Sequence, residues 1–308
     1  MRASAYLKGN YADRFPFGGE GVFLKGNLHT HTTVTDGPLD PEETIRRYKA
    51  AGYDFLSLTD HFIYTALPDQ GGLTLLPGVE INYDDKDHYL FDHLVAIGDQ
   101  NGSFAHGEEV KPVPDSSGWG VQRMIDLLHE TGHFVIYAHP HWSHRDAAHI
   151  AALHGIDAME IYNTCCDVRF ACGYSDQIYD GVVMRGQKPF ALCTDDTHTP
   201  ECIGGGWVCV KARENSRAAI LEALRAGRFY ASNGPQIFDY SLKDGVVSID
   251  CSPVQSVAFV TYDHWGRTTR GENLTHAEFK LRGDETFLRI QIRDEKGNFA
   301  YTQPMFFF

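Results

Sequence analysis

Between residues 22 and 226, short apolar runs and amphipathic helical patterns take turns, and this alternation narrows the possible folds more than any other feature of the chain. The runs 22–28, 55–59, 93–98, 134–138, 158–162, 190–194 and 207–211 read as strands, with another inside 73–80. Stretches 41–51, 121–131, 146–153, 176–185 and 216–226 read as helices. Asp40 is placed to cap the first helix, with Pro41 at its first position and Glu43 at the capping-box position. Gly132 is placed to end the second. Parallel strands need long crossovers, usually helical, so the pattern predicts an α/β barrel or a wound parallel sheet. The polar, Gly- and Pro-rich stretch 99–120 reads as a long loop of the kind that serves as a lid.

After Asn233-Gly234-Pro235 the texture changes. Helical periodicity stops, and short β-rich runs follow at 237–242, 246–251, 257–262, 278–281, 287–293 and 299–303. Turn signals such as Lys243-Asp244-Gly245 and Glu295-Lys296-Gly297 separate them. The 308 residues therefore divide into a barrel-sized domain, 1–233, and a small antiparallel β-sandwich accessory domain, 234–308.

The formal net charge of −14 weighs against nucleic acid and anionic membranes as partners. It also suits an empty carboxylate-lined site for several cations; three divalent ions would bring the total to about −8. No run is long enough to span a membrane, and the first ten residues lack a signal-like apolar core. Seven scattered cysteines, with Cys165 and Cys166 adjacent, do not make a disulfide framework. Reduced thiols and a cytoplasmic protein are expected. Oligomeric state is left open.

Residues able to hold a divalent metal recur at the carboxyl ends of the expected strands. His29 and His31 follow the first, spaced so that both rings face one side of an extended segment. Asp36-Gly37 stands in the next loop. Thr59-Asp60-His61, Gly78-Val79-Glu80, Ala138-His139-Pro140 and Asp195-Asp196-Thr197-His198 end later strands. His61 alone would be an ordinary loop residue and Glu80 alone a solvated carboxylate. Five strand ends carrying ligand types in one chain are hard to ascribe to chance, and barrels place their sites on that face. Glu160 and Asn163 could orient such ligands or simply bond a strand end. His141, Trp142 and His144 read mainly as loop residues, Cys193 and Cys202 as core, and Gly204-Gly205-Gly206 as a flexible turn. Arg145, Arg169 and Arg185 could each clamp a phosphate, with nothing to choose among them.

The run Gly26-Asn27-Leu28-His29-Thr30-His31-Thr32-Thr33 with Asp36-Gly37, followed in order by Thr59-Asp60-His61, Gly78-Val79-Glu80, Ala138-His139-Pro140 and Asp196-Thr197-His198, resembles the PHP (polymerase and histidinol phosphatase) superfamily. Gly52-Tyr53-Asp54-Phe55-Leu56, Glu160-Ile161-Tyr162-Asn163 and the junction 226–235 resemble its carbaryl-hydrolase-like (CehA/McbA) branch more closely. The resemblance covers about residues 22–235. It implies a distorted (β/α)7 barrel with two or three divalent ions (zinc, manganese or iron). By motif, His29, His31 and Asp196 would hold one ion, with Glu80 bridging to a second completed by His93 and His139. Asp36, His61 and His198 would hold the third. Asp195 is a rival for Asp196, and His88 for His93.

This set implies a metal-dependent hydrolase, foremost a phosphoesterase that cleaves a small phosphate ester with metal-activated water at a di- or trinuclear site. Glu80, Asp196, His198 and His61 would act through that water. Carboxylic ester or carbamate hydrolysis is the alternative with the same site. A non-catalytic, metal-stabilised binding module is a third reading, against which retention of all nine ligand types weighs. The expected partner is a small anionic substrate.

Overall fold

The computed structural model describes residues 11–98, 104–114, 120–261 and 266–307. The N-terminal stretch on which the lack of a leader was read, residues 99–103 and 115–119 of the expected loop, and Tyr262 at the end of an expected strand lie outside the described residues. No helix among the described residues is long and apolar enough to cross a membrane.

The first part of the chain runs β1 (Val22–Asn27), α1 (Pro41–Ala50), β2 (Phe55–Ser57), β3 (Thr74–Leu76), β4 (Gly78–Asp85), β5 (Leu90–Ile97), α2 (Val121–Glu130) and β6 (Phe134–Tyr137). It continues through α3 (Ala147–Ala152), β7 (Ala158–Asn163), α4 (Thr164–Phe170), α5 (Asp176–Met184), β8 (Phe190–Thr194), β9 (Trp207–Ala212), α6 (Arg217–Arg225) and β10 (Phe229–Ser232). Local chemistry sets these boundaries. The Asp40 carboxylate accepts the Glu43 N–H at 2.9 Å and starts α1. The expected capping box is absent because the Glu43 carboxylate instead takes Arg46 and Arg47. Gly132, at φ +81, lets the chain leave α2 in a left-handed turn. Helix α4 was not expected; Asn163 caps it by accepting the Cys166 N–H at 2.9 Å.

The strands form a mixed α/β fold of two sheets. One has the order β4-β5-β6-β7-β8, antiparallel at β4-β5-β6 and parallel from β6 to β8. The other contains β1, β2 and β3 in parallel, with β9 and β10 added antiparallel. The wholly parallel arrangement anticipated from the sequence is thus corrected. The connection between β4 and β5 is too short for a crossover, so the two form a hairpin with Asn82 opposite His93. Single parallel bridges, Thr30 to Thr197 and His61 to Glu80, link the two sheets. Leu28, Phe55, Val95, Ile136, Leu192, Val208 and Ile220 share the apolar core enclosed between them.

The tail strands β11 (Ile237–Lys243), β12 (Val246–Thr261), β13 (Arg267–Lys280), β14 (Phe287–Arg293), β15 (Phe299–Thr302) and β16 (Met305–Phe306) pair antiparallel throughout. They continue the second sheet through β10–β15 pairing and carry a core of their own, built on Ile249, Phe259, Leu288 and Ile290. Arg289, fully buried, reaches out of this segment to Asp180 on α5 through two hydrogen bonds of 2.7 and 2.8 Å.

Candidate metal centre

Where β1 runs out, the chain stays extended, so His29 and His31 turn their rings into the same buried space. Asn27 organises this turn through Nδ2, which donates to His29 O, Thr30 Oγ1 and Tyr48 Oη at 2.7–3.0 Å. The following loop is held by the buried Asp60 carboxylate, which accepts from the Thr32 N–H, Thr32 Oγ1 and Thr35 Oγ1. Gly37 passes so close to His31 that a Cβ there would lie 2.2 Å from the His31 carbonyl carbon. That contact brings Asp36 over His31.

All nine sequence-expected ligands come to one region. Glu80 is at its centre, fully buried. Its Oε1 lies 3.0 Å from His93 Nδ1 and 3.4 Å from His139 Nε2. Its Oε2 lies 3.4 Å from His29 Nε2, 3.2 Å from His31 Nε2 and 2.9 Å from His61 Nδ1. Asp196 Oδ1 is 3.1 Å from both His31 Nε2 and His198 Nδ1. Asp36 Oδ2 faces His61 Nε2 at 3.5 Å and His198 Nε2 at 3.2 Å. Three sets draw close enough to share an ion, each with ligand atoms within 4.8 Å of one another: His29, His31 and Asp196; His29, Glu80 and His139; and His31, Asp36, His61 and His198. His93 belongs to none of them, being wedged between Glu80 and Asp84 Oδ1, the latter at 3.0 Å.

Hydrogen bonding makes these atoms cation-seeking. Glu160 Oε1 lies 2.7 Å from His29 Nδ1 and fixes a proton there, which leaves Nε2 facing inward as the atom that a cation would take in exchange for a proton. That nitrogen meets His31 Nε2 at 3.1 Å. Glu80 Oε2, Asp196 Oδ1 and His31 Nδ1 are buried with no hydrogen-bond partner among the described residues. Oxygens of two carboxylates, Glu80 and Asp196, thus lie buried on either side of His31 Nε2, and their charge must be balanced by protons on the neighbouring imidazoles or by a cation. The donors, imidazole and carboxylate, suit zinc, manganese or iron.

Charge follows the same logic. Burial works against protonating His61 and His198, but Glu80 and Asp36 beside the first, and Asp196 and Asp36 beside the second, push them up to about 10 and about 11. Burial likewise opposes ionisation of Glu80 and Asp196, yet the surrounding imidazoles hold both well below the usual carboxylate range. Protons balance the carboxylates until cations replace them. Two of these residues sit in backbone conformations rare for a side chain, His139 at φ +28 and Asp196 at φ +50. Strain of this kind gathers where side-chain aim matters.

The structure also separates the alternatives. Asp195 turns away from the centre to accept the N–H groups of Gly204, Gly205 and Gly206 at 2.7–2.9 Å. Those glycines hold a carboxylate instead of forming the flexible turn expected: a Cβ on Gly206 would lie 2.5 Å from Thr194 O. His88 is exposed and bonds Asp85. Glu160 is an organiser, accepting also Thr194 Oγ1, the His139 N–H and Asn163 Nδ2 at 2.7–2.8 Å. Cys193 and Cys202 are buried. His141 and His144 are exposed on main-chain carbonyls. Of the three arginines, Arg145 bonds Asp92 at 2.6 Å and Arg185 the Gly181 carbonyl, whereas Arg169 lines the cavity above the centre. This cavity has a volume of about 450 Å³ and also exposes Phe62, Asn82, Asp84, Trp142, Cys165, Cys166 and Phe170. Asp84, Phe62 and Phe170 carry no motif and were not anticipated; only the fold brings them here.

No family model matches the chain. One stretch of 79 residues is 35% identical to the 5′-3′ exoribonuclease Rnm of Salmonella typhimurium, over 23% of this chain and 26% of that protein. The match thus spans about a quarter of the relative's length. Among solved structures, a two-domain Bacteroides vulgatus protein described as containing a predicted PHP-like metal-dependent phosphoesterase aligns over 92% of this chain and 96% of its own, with 16% identity and a TM-score of 0.49. A Bifidobacterium adolescentis protein inferred to be a metal-dependent phosphoesterase aligns over 66% and 96%, with 13% identity and a TM-score of 0.44. The lesion-specific endonuclease EndoQ of Pyrococcus furiosus aligns over 67% and 56%, with 14% identity and a TM-score of 0.46. The exclusion of nucleic acid expected from net charge is withdrawn, since the sequence relative is a nuclease. Net charge averages the whole surface, while divalent ions reverse its sign locally.

Proposed function

We propose that this chain is a PHP-type metal-dependent hydrolase of the carbaryl-hydrolase-like branch, a phosphoesterase cleaving a small phosphate ester. The observation that carries this reading is the convergence of His29 Nε2, His31 Nε2, Glu80 Oε2 and Asp196 Oδ1 in a buried space, with both oxygens lacking hydrogen-bond partners among the described residues. His29, His31 and Asp196 would hold one divalent ion, Glu80 and His139 with His93 a second, and Asp36, His61 and His198 a third. Bound there, such ions supply Lewis acidity toward a substrate oxygen and acidify water to make a nucleophile. Glu160 keeps the His29 tautomer fixed, Ser143 Oγ at 3.1 Å does the same for His139, and Arg169 puts a positive charge at the rim. In this reading residues 1–233 are a distorted seven-stranded barrel that takes its staves from among the ten strands of the two bridged sheets, and residues 234–308 are a β-sandwich accessory domain.

Carboxylic ester or carbamate hydrolysis is favoured by one feature, the aromatic lining of Phe62, Trp142 and Phe170. Metal analysis of the purified protein, then assay of zinc-, manganese- and iron-loaded samples on phosphoesters, aryl esters and carbamates, separates the two. Phosphoester turnover that His61→Ala lowers at least a hundredfold in a folded protein is expected, roughly the scale of lost metal-site function. Unchanged turnover in that variant would refute the site, and turnover of carbamates alone would move the assignment to the second reading.

A further inference from the structure

Three aromatic side chains, Phe62, Trp142 and Phe170, line the cavity, and metal binding gives no reason for them. Phe62 sits directly after His61 at φ +62, a left-handed conformation uncommon for a bulky residue. It is held there by its N–H, which donates to Glu80 O at 2.7 Å. Trp142 stands edge-on to His139 with ring centroids 5.0 Å apart, and 6.4 Å from Phe170. Phe170 is 51% exposed at the last position of α4, a helix stopped by Ala171 at φ +56. Core packing does not account for a ring left so open. Beside it, the Arg169 guanidinium carbon lies 5.0 Å from the Phe170 centroid. Arg169 is the one lysine or arginine lining the cavity among the described residues. Flat apolar surface thus adjoins an anion-attracting centre in one continuous space.

We propose that Phe62, Trp142 and Phe170 form a slot for a planar apolar ring. The substrate class is then a phosphate monoester whose alcohol bears such a ring, with Arg169 beside the phosphate. This assignment rests on the phosphoesterase reading. Aromatic side chains receive flat rings in offset or edge-on contact, and the phosphate's charge matches the cations and the guanidinium.

The test uses the full-length manganese-loaded protein. Binding of phenylphosphonate and methylphosphonate, whose P–C bonds resist hydrolysis, is measured by calorimetry, alongside hydrolysis of benzyl and ethyl phosphate. Phenylphosphonate should bind about tenfold more tightly, the scale of one aromatic contact. Phe170→Ala, at an exposed helix end, should reduce that preference to less than about threefold. Arg169→Gln should weaken both phosphonates by a similar factor. Equal wild-type affinities, or an undiminished preference in Phe170→Ala, overturn the slot while leaving phosphoester hydrolysis standing. If neither phosphonate binds and neither ester is cleaved, the slot and the phosphoesterase reading fall together.

Discussion

Replacing Glu160 with Gln tests how far the centre depends on a residue that faces away from the cations. Glu160 is fully buried and accepts four hydrogen bonds, from His29 Nδ1 and Thr194 Oγ1 on one oxygen and from the His139 N–H and Asn163 Nδ2 on the other. A glutamine keeps one oxygen and turns the other into an NH2 donor: aimed at the His139 N–H and Asn163 Nδ2 it meets two donors, while aimed at the other pair it meets the His29 Nδ1 proton and the Thr194 hydroxyl turns to accept. Each buried group left unpaired costs about 1–3 kcal/mol, so the easier orientation places the loss at about 1–3 kcal/mol. The charge that holds the proton on His29 Nδ1 disappears as well, and the proton can move to Nε2, where it blocks the metal. Metal affinity should therefore fall about 10- to 100-fold, as with other outer partners of ligand histidines. Urea unfolding of the metal-free protein reads the first effect, and competition with a chromophoric chelator reads the second. Wild-type stability together with wild-type metal affinity would refute this account of Glu160.

Three more outcomes follow from the same geometry. His61 and His198 are raised above the ordinary histidine value, to about 10 and about 11, so their stabilisation of the metal-free protein is complete below about pH 6.5 and lost as pH rises through those values. The melting temperature of the metal-free protein should fall over that range while the stabilisation added by metal grows; a pH-independent metal effect would contradict it. Asp196→Asn should abolish binding of one ion, whereas Asp195→Asn should lower stability, because one oxygen becomes an NH2 facing a glycine N–H, and leave the ion count unchanged, as elemental analysis would reveal. Gly37→Ala should displace Asp36 from above His31 and remove one ion from the count in a protein that still unfolds cooperatively.

Much of the candidate centre was legible because the proposed ligands are metal-binding residue types placed at strand ends. His29, His31, Glu80, His139, Asp196 and His198 stand where apolar runs stop, and the fold draws them into one region. Pairing was less legible. The β4–β5 hairpin looked like two members of a parallel series because its four-residue turn, Lys86-Asp87-His88-Tyr89, carries no glycine or proline. Strand β12 was read as two because Pro253 interrupts it; the register shifts on either side of Val254 show a bulge absorbing the proline. The Asp-x-His spacing favoured Asp196 over Asp195, but the role of Asp195 was not legible, since its partners are main-chain amides nine to eleven residues away. Arg169 could be preferred over Arg145 only once α4 was seen to end at the cavity, and Asp92 to occupy the other guanidinium.

The two parallel single bridges between the sheets lie among the proposed ligands. His29 and His31 belong to one sheet, Glu80 to the other, and Asp196 and His198 follow β8 across the seam, where the Asp196 N–H donates to His29 O at 2.9 Å. Cations bound here would rivet the two sheets together, doing at the seam what a long hydrogen-bonded ladder does elsewhere. Chelation should then loosen the molecule from the active centre outward. Its first sign would be faster amide exchange at Asp196 and Phe62, ahead of any change in the tail strands.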